Sequence, residues 1–353
     1  MAQAIDEGGG WLPFDRFMAT VLYEPGLGYY SRGGTPIGRM PADGSDFVTA
    51  PEISPLFGRA LARQLAQALQ ASATDEVWEF GAGTGALAAQ LIDALDQLGV
   101  PLRRYLILDL SGTLAAAQRE RLARFGERVQ WVSAWPGRLD GVVVGNEVLD
   151  AMPVQLLRWD GLVWSERGVA LGEDQSLVWQ DRATGLRPPA DGPFMPGTVT
   201  ELHSQAEAFV RTLAATMGRG AAFFIDYGFP ESEYYHPQRH GGTLMCHRAH
   251  RADDDPLIDV GAKDITAHVN FSALALAAQD AGMQVLGYTS QARFLLNCGL
   301  TELLADADLR ARAMAGKLVN EHEMGELFKV IGLAKGVEFE ALGFVQGDRC
   351  HRL

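Results

Sequence analysis

Short apolar runs alternate with stretches of helical periodicity through the middle of the chain. The runs predict strands at residues 77–80, 105–110, 129–132, 141–145 and 221–225. Helices are predicted between them, at about 86–98 and 113–125. Runs in which most positions are apolar, without strict alternation, are typical of parallel strands buried on both faces. The pattern therefore predicts an α/β fold with a Rossmann-like sheet.

Two regions depart from this rhythm, and the two ends of the chain have predicted elements of their own. Residues 154–200 carry many Gly and Pro between short apolar runs, which predicts an antiparallel insertion. Residues 229–270 are polar and turn-rich, and we interpret them as a long functional loop. Residues 1–70 are predicted to form an N-terminal helical cap on a core of residues 71–353. The tail is predicted to be helical over 301–328, with a closing strand at 337–345.

A glycine-rich turn, Gly81-Ala-Gly-Thr-Gly85, follows the first strand of the core. Such a turn brings backbone N–H groups and a helix N-terminus to the edge of the sheet where ligands bind. The turn alone also fits a dinucleotide pattern, which leaves an NAD-dependent oxidoreductase open. However, Glu79 would repel a pyrophosphate and suits a cationic amino group. Asp109 ends the second strand, where it can accept hydrogen bonds from ribose hydroxyls, so the pair favours S-adenosylmethionine.

Eight motifs spread over most of the chain resemble one family. They are Phe17-Met-Ala-Thr-Val-Leu-Tyr23, Gly28-Tyr-Tyr30, Asp46-Phe-Val-Thr-Ala-Pro-Glu-Ile-Ser54, Glu79-Phe-Gly-Ala-Gly-Thr-Gly85, Asn146-Glu-Val-Leu-Asp-Ala-Met-Pro153, Ile225-Asp-Tyr-Gly228, Asp264-Ile-Thr-Ala-His-Val269 and Phe294-Leu-Leu-Asn297. In this order they resemble the MidA-like family of class I S-adenosylmethionine-dependent methyltransferases. The resemblance implies a seven-stranded sheet and S-adenosylmethionine as cofactor, held by the glycine turn (Gly81, Gly83 and Gly85). Two departures are Ala82, where the family often has Pro, and Asn270, where it usually has Asp.

Candidate catalytic residues follow the fourth and fifth strands. In this fold class the end of the fourth strand faces the methyl group, so Glu147 is expected to orient the nucleophile and Asn146 to bind cofactor or substrate. Asp226 is either a second carboxylate at the same edge or only the start of a turn. Two carboxylates suit a guanidinium, which they recognise in bidentate geometry. Asp150 is either a helix cap or a functional group.

Two residues of the cap are further candidates for the cofactor site. Thr49 and Glu52 precede a helix predicted to begin near Ser54, and a cap folded over the cofactor would exclude water and seat its methionyl end. Glu52 has the alternative of capping that helix. The family includes a mitochondrial arginine methyltransferase of respiratory complex I assembly, so the resemblance implies an arginine of a respiratory-complex subunit as substrate. A cofactor-binding assembly chaperone without turnover remains the alternative.

Composition limits the partners and the cellular location that we expect. The 353 residues carry 30 Lys and Arg against 44 Asp and Glu, a net charge of −14, which argues against non-specific nucleic-acid binding. No apolar run is long enough for a membrane helix, and the first ten residues resemble neither a signal nor a transit peptide. Three Cys predict a reducing cytoplasm. The His-rich segment 236–250 has no standard zinc spacing, so no metal is expected there. The oligomeric state is left open.

Overall fold

The computed structural model describes residues 1–32, 46, 48–109 and 112–353, so Phe47 and Leu110 of the predicted elements lie outside the described residues. The helices are α1 (Ala2–Glu7), α2 (Phe14–Tyr23), α3 (Ala50–Ile53), α4 (Pro55–Ser72), α5 (Ala86–Gln97), α6 (Gly112–Leu122), α7 (Ser204–Thr216), α8 (Glu231–Tyr234), α9 (Phe271–Asp280), α10 (Gln291–Asn297), α11 (Leu300–Ala305) and α12 (Leu309–Val319). The strands are β1 (Leu12–Pro13), β2 (Glu76–Phe80), β3 (Arg104–Leu108), β4 (Val129–Val132), β5 (Leu139–Asn146), β6 (Gln155–Trp159), β7 (Trp164–Leu171), β8 (Leu177–Ala183), β9 (Val199–Leu202), β10 (Met217–Phe229), β11 (Met245–Arg248), β12 (Arg251–Asp253), β13 (Asp264–Thr266), β14 (Val269–Asn270), β15 (Gln284–Ser290) and β16 (Phe328–Lys335).

The central sheet has the strand order β15-β16-β10-β5-β2-β3-β4. Strands β4, β3, β2, β5 and β10 pair in parallel, and β16 runs antiparallel to both of its neighbours. The two-residue β14 pairs with the end of β10 and is an eighth strand beside the seven of this order. Because the parallel strands end at one edge, their C-terminal residues meet there, which is where open α/β sheets bind ligands.

The closing strand lies earlier in the chain than predicted. It is β16, Phe328–Lys335, whereas Leu342–Phe344 in the predicted strand 337–345 form a short 3₁₀ turn. Every residue of β16 except the last is buried, because this strand lies between β10 and β15. A strand between two others needs an apolar run, and the alternating pattern at 337–345 is the weaker match to that position.

The cap and the two insertions share an apolar core of their own. Helix α2 packs there against buried residues of β6, β7, β11 and β13. Residues 154–200 are antiparallel as predicted, with β6 to β9 joined by β1 in one sheet. Residues 229–270 are more ordered than a loop, because they contain the three-stranded sheet β12-β11-β13.

Helix α4 belongs to the central layers although the predicted cap of residues 1–70 includes most of it. It packs against α5 and the strands β5 and β10, and its buried face joins the core on that side of the central sheet. The division at residue 70 stays a prediction. In the described part of the chain, no helix has both the length and the apolar character needed to cross a membrane.

Candidate functional site

A cavity of about 360 Å³ lies at the carboxyl edge of the central sheet, between the glycine turn and the cap. Its lining includes seven of the predicted site residues: Thr49, Glu79, Gly81, Gly83, Asp109, Asn146 and Glu147. Three others do not line it: Glu52, Gly85 and Asp226. The sheet therefore brings most of the predicted site together from positions that are far apart in the sequence.

Two carboxylates flank the glycine turn. Glu79 is buried and accepts a hydrogen bond of 2.7 Å from the Tyr105 hydroxyl. Burial raises the pKa of Glu79 to about 8, against the opposing effect of that hydrogen bond. Asp109 accepts a hydrogen bond of 2.8 Å from Gln118, whose amide also donates to the Gly83 carbonyl. Gln118 thus links the Asp109 carboxylate, which follows β3, to the glycine turn.

The lining fits the predicted cofactor, S-adenosylmethionine. Glu79 can bind its ammonium, and Asp109 can accept hydrogen bonds from its ribose hydroxyls. The aromatic rings of Phe80, Trp135 and Phe209 pack together at the cavity wall, with centroids no more than 5.2 Å apart. A flat adenine can lie against them. The Asn146 Oδ1 atom is buried and accepts no hydrogen bond within the described structure, so it is an acceptor left for a ligand.

Glu147 is held in an unusual backbone conformation at the end of β5. Its φ of 54° is rare for a non-glycine residue, and such strain is concentrated at functional sites. Its backbone N–H donates to the Ile225 carbonyl, and its carboxylate accepts hydrogen bonds from Asn146 Nδ2 and from the Ala50 N–H. Burial, aided by repulsion from Asp226 and other acids, raises the pKa of Glu147 to about 8.

Glu52 and Gly85 support the cofactor turn from behind. Glu52 accepts hydrogen bonds from Thr84, whose residue lines the cavity, and from Arg121 of α6, in an ion pair whose carboxylate side chain is almost fully buried. Gly85 is the N-cap of α5. Both residues shape the turn without facing the cavity.

The predicted catalytic role of Asp226 conflicts with where its side chain lies. The Asp226 Oδ2 atom accepts hydrogen bonds from the N–H groups of Val148, Leu149 and Asp150, and Oδ1 accepts one from Tyr227. Side chains alternate along a strand, and it is the neighbouring Tyr227 that lines the cavity. Asp226 therefore holds the loop after β5, and so positions Glu147 from outside the cavity.

Replacing Asp226 should separate structure from catalysis. Asp226→Ala leaves several buried amides without an acceptor and should lower the free energy of unfolding by about 3–5 kcal/mol. Asp226→Asn keeps one acceptor oxygen for the loop amides, so this variant should fold. Because residue 226 lies outside the cavity, its turnover should stay within about three-fold of wild type, a change below 1 kcal/mol. Urea unfolding and steady-state rates measure both. A folded Asp226→Asn protein without turnover would contradict the positioning role.

The structure adds Tyr23, Tyr30 and Asp264 to the site, and it places Asp150, whose role the sequence left open, in the cavity lining. Tyr23 and Tyr30 of the cap stack with ring centroids 5.7 Å apart, and both line the cavity. The Tyr30 hydroxyl donates to Asp264 at 3.0 Å, and burial raises the pKa of Asp264 to about 7. Asp264 and Asp150 also line the cavity, and both repel Glu147 electrostatically. We call Glu147, Asp150 and Asp264 the acidic end. In the sequence, the family motifs around residues 30, 150 and 264 were the signal from which these residues could have been identified.

Two other positions have structural explanations. Asn270 caps α9 by accepting a hydrogen bond from the Ala273 N–H at 3.1 Å, a role that Asn and Asp fill equally well. The replacement of the family's usual Asp by Asn270 therefore keeps the N-cap of helix α9. Of the residues that the structure describes, no group of three His, Cys, Asp or Glu side chains is arranged to hold a metal ion, and the metal-free expectation stays a prediction.

Comparison with known proteins identifies the family. A family model for S-adenosyl-L-methionine-dependent methyltransferases matches residues 60–289. A crystal structure of a Burkholderia thailandensis protein bound to S-adenosyl-homocysteine is 53% identical, with a TM-score of 0.96 over 100% of this chain and 95% of that one. The mouse mitochondrial protein arginine methyltransferase NDUFAF7 is 26% identical over 90% of this chain and 79% of its own. Its Caenorhabditis elegans homologue is 25% identical over 82% and 73%. The chain thus belongs to this family of methyltransferases, whose cofactor is S-adenosyl-L-methionine.

Proposed function

We propose that the protein transfers a methyl group from S-adenosylmethionine to a guanidino nitrogen of an arginine in a protein substrate. The observation that carries the proposal is the acidic lining of the cavity. Five carboxyl side chains line it, Glu79, Asp109, Glu147, Asp150 and Asp264, and its described lining contains neither Lys nor Arg. A cation that enters such a poorly solvated cavity favours the ionised form of these carboxyls and is attracted to them.

The acidic end suits a guanidinium better than a compact ammonium. A guanidinium is planar, stays charged and donates pairs of hydrogen bonds to carboxylates. The stacked rings of Tyr23 and Tyr30, with Tyr227, give the same end flat aromatic walls on which such a group packs. The combination of three carboxyls and three tyrosines supports arginine as the target side chain.

The chain's residues would position the two reactants for an in-line displacement. The cofactor supplies a sulfonium methyl, which becomes bonded to nitrogen as the sulfur–carbon bond breaks and a neutral thioether remains. Glu79 and Asp109 hold the cofactor's ammonium and ribose. Glu147, fixed by Asn146 and Ala50, orients the nitrogen that attacks. Thr49 and Pro51 of the cap cover the cavity and help to exclude water.

The family relatives support a protein substrate. The mouse and Caenorhabditis elegans proteins are named as arginine methyltransferases, at 26% and 25% identity. A respiratory-complex subunit is our proposal for the partner, from the resemblance alone. We also propose a cytoplasmic location from the composition of the chain, whereas those two relatives are named as mitochondrial.

The proposal is tested with labelled S-adenosylmethionine and an extract of host cells from which the gene has been deleted. We expect the purified protein to label a small number of proteins, and mass spectrometry to locate the methyl on arginine. A Glu147→Gln protein is the control for contaminating activity. Label on lysine would contradict arginine specificity. Tight binding of S-adenosyl-homocysteine with no labelled product would favour the assembly chaperone.

Cofactor binding should depend on pH. With its pKa raised to about 8, Glu79 is largely protonated at pH 6.5 in the free protein and must ionise to pair with the ligand's ammonium. The affinity for S-adenosyl-homocysteine, which keeps the ammonium, should therefore rise by up to about 10-fold per pH unit between pH 6.5 and 8, and level off above. Calorimetry should also show proton release to buffer. Glu79→Gln should flatten this dependence, and a flat wild-type profile would contradict it.

The same pKa shifts affect stability in the opposite direction. A carboxyl whose pKa is higher in the folded than in the unfolded protein binds more protons when folded. The free energy of unfolding of the cofactor-free protein should thus fall as pH rises from about 4.5 to 8 through these groups. Saturating S-adenosyl-homocysteine should reduce that fall, because the ligand's ammonium pairs with the ionised form of Glu79.

A further inference from the structure

The insertion of residues 229–270 places an imidazole in the cavity. In the antiparallel pair of β11 and β13, His247 lies opposite Asp264 and Cys246 opposite Ile265. Cys246 and Ile265 are buried in the apolar core shared with the cap, whereas His247 and Asp264 line the cavity. The alternation of a β-strand therefore directs one face of this small sheet to the core and the other to the acidic end.

The surroundings keep His247 uncharged near neutral pH. Burial lowers the pKa of His247, and Asp253 on the neighbouring β12 opposes that effect. The Asp253 carboxylate is itself paired with Lys263 at 2.7 Å. The other titratable groups near this face are Asp264 on β13, His268 before β14, Tyr23 on α2, and Glu147 and Asp150 across the cavity. A neutral imidazole has a nitrogen lone pair with which to accept a proton.

Methylation of a guanidinium requires such an acceptor. The attacking nitrogen has to lose a proton as its bond to carbon forms, since the product carries one hydrogen fewer on that nitrogen. Carboxyl groups that pair with the guanidinium hold its charge, and protonating one of them would break that pairing. Of the described residues that line the cavity, His247 is the one imidazole.

We propose that His247 accepts the proton that the arginine nitrogen loses during methyl transfer. This inference rests on the proposed function. The N–H bond breaks, its electron pair stays on nitrogen for the new N–C bond, and the proton moves to His247. Because His247 is half-buried and not fully enclosed, the proton can pass on to water before the next turnover.

The test compares His247→Gln, His247→Ala and the control His240→Gln, an exposed histidine of the same insertion that does not line this cavity. The substrate is the labelled protein identified above, or an arginine peptide cut from it. We expect kcat to fall roughly 10²-fold or more in both His247 variants, with KM and S-adenosyl-homocysteine affinity little changed. The part of the acid limb of the wild-type pH–kcat profile that lies below the titration of Glu147 should be lost. Added imidazole should restore part of the rate of His247→Ala.

Each contrary result has a distinct meaning. Wild-type kcat and pH profile in His247→Gln, with arginine still the product, would overturn the role of His247 and leave the proposed function intact. Loss confined to KM, or no rescue by imidazole, would also overturn it. Wild-type labelling of lysine would overturn the proposed function. The same variants would still decide the proton-accepting role in that case, because a lysine ammonium must also lose a proton.

Discussion

Glu147→Gln should lower turnover roughly 10²–10⁴-fold while S-adenosyl-homocysteine binds almost as tightly as to wild type. Gln keeps the size of the side chain and an oxygen that can accept from Asn146 Nδ2 and the Ala50 N–H. It cannot carry the negative charge that holds a cationic nucleophile beside the methyl group. The cost should therefore appear in kcat on the protein substrate, and calorimetry with S-adenosyl-homocysteine should show little change.

A matched control is Glu166→Gln. Burial also raises the pKa of Glu166, but this residue lies on β7 in the antiparallel sheet and does not line the cavity. We expect wild-type turnover from it. If Glu147→Gln loses cofactor binding and turnover to the same extent, Glu147 serves the cofactor and not the nucleophile. If it loses neither, the central role that we assign to Glu147 is wrong.

The fold could be predicted where a local pattern matches the final environment. The apolar runs at 77–80 and 141–145 lie inside β2 and β5, because central strands are buried on both faces and therefore read as continuous apolar segments. The short strands β11 and β13 have only one face in an apolar core, and β12 is exposed throughout. Turns separate these strands. Nothing local distinguishes such a segment from a polar loop.

The site residues also divide into those that a local pattern predicts and those that depend on distant contacts. Glu79 and Glu147 could be predicted because each lies next to the end of a central strand, and those ends meet at one edge of the sheet. His247 and Asp264 reach the cavity only through pairing between strands of the insertion, which depends on contacts far apart in the sequence. Asp226 also lies near a strand end, but the direction of its side chain depends on the pleat of β10 and on the loop that approaches it.

Gly83→Val should abolish measurable cofactor binding. Gly83 has a φ of 53°, a left-handed conformation that a β-branched residue adopts only at a cost of about 1–2 kcal/mol. The residue also lines the cavity, so a valine side chain would enter the space that we assign to S-adenosylmethionine. We expect the Kd for S-adenosyl-homocysteine to rise about 100-fold or more, equivalent to roughly 2.7 kcal/mol.

Gly99→Val separates backbone strain from blockage of the cavity. Gly99 has a similar φ of 68°, follows α5, and has open space where a Cβ would be. Its valine variant should lose about as much stability in urea unfolding as the strain alone costs, and should bind S-adenosyl-homocysteine like wild type. Equal losses of affinity in both variants would mean that strain acts through the whole fold. Wild-type affinity in a folded Gly83→Val protein would show that the cofactor lies elsewhere, and would remove the structural basis for Glu79, Asp109 and Glu147 as its neighbours.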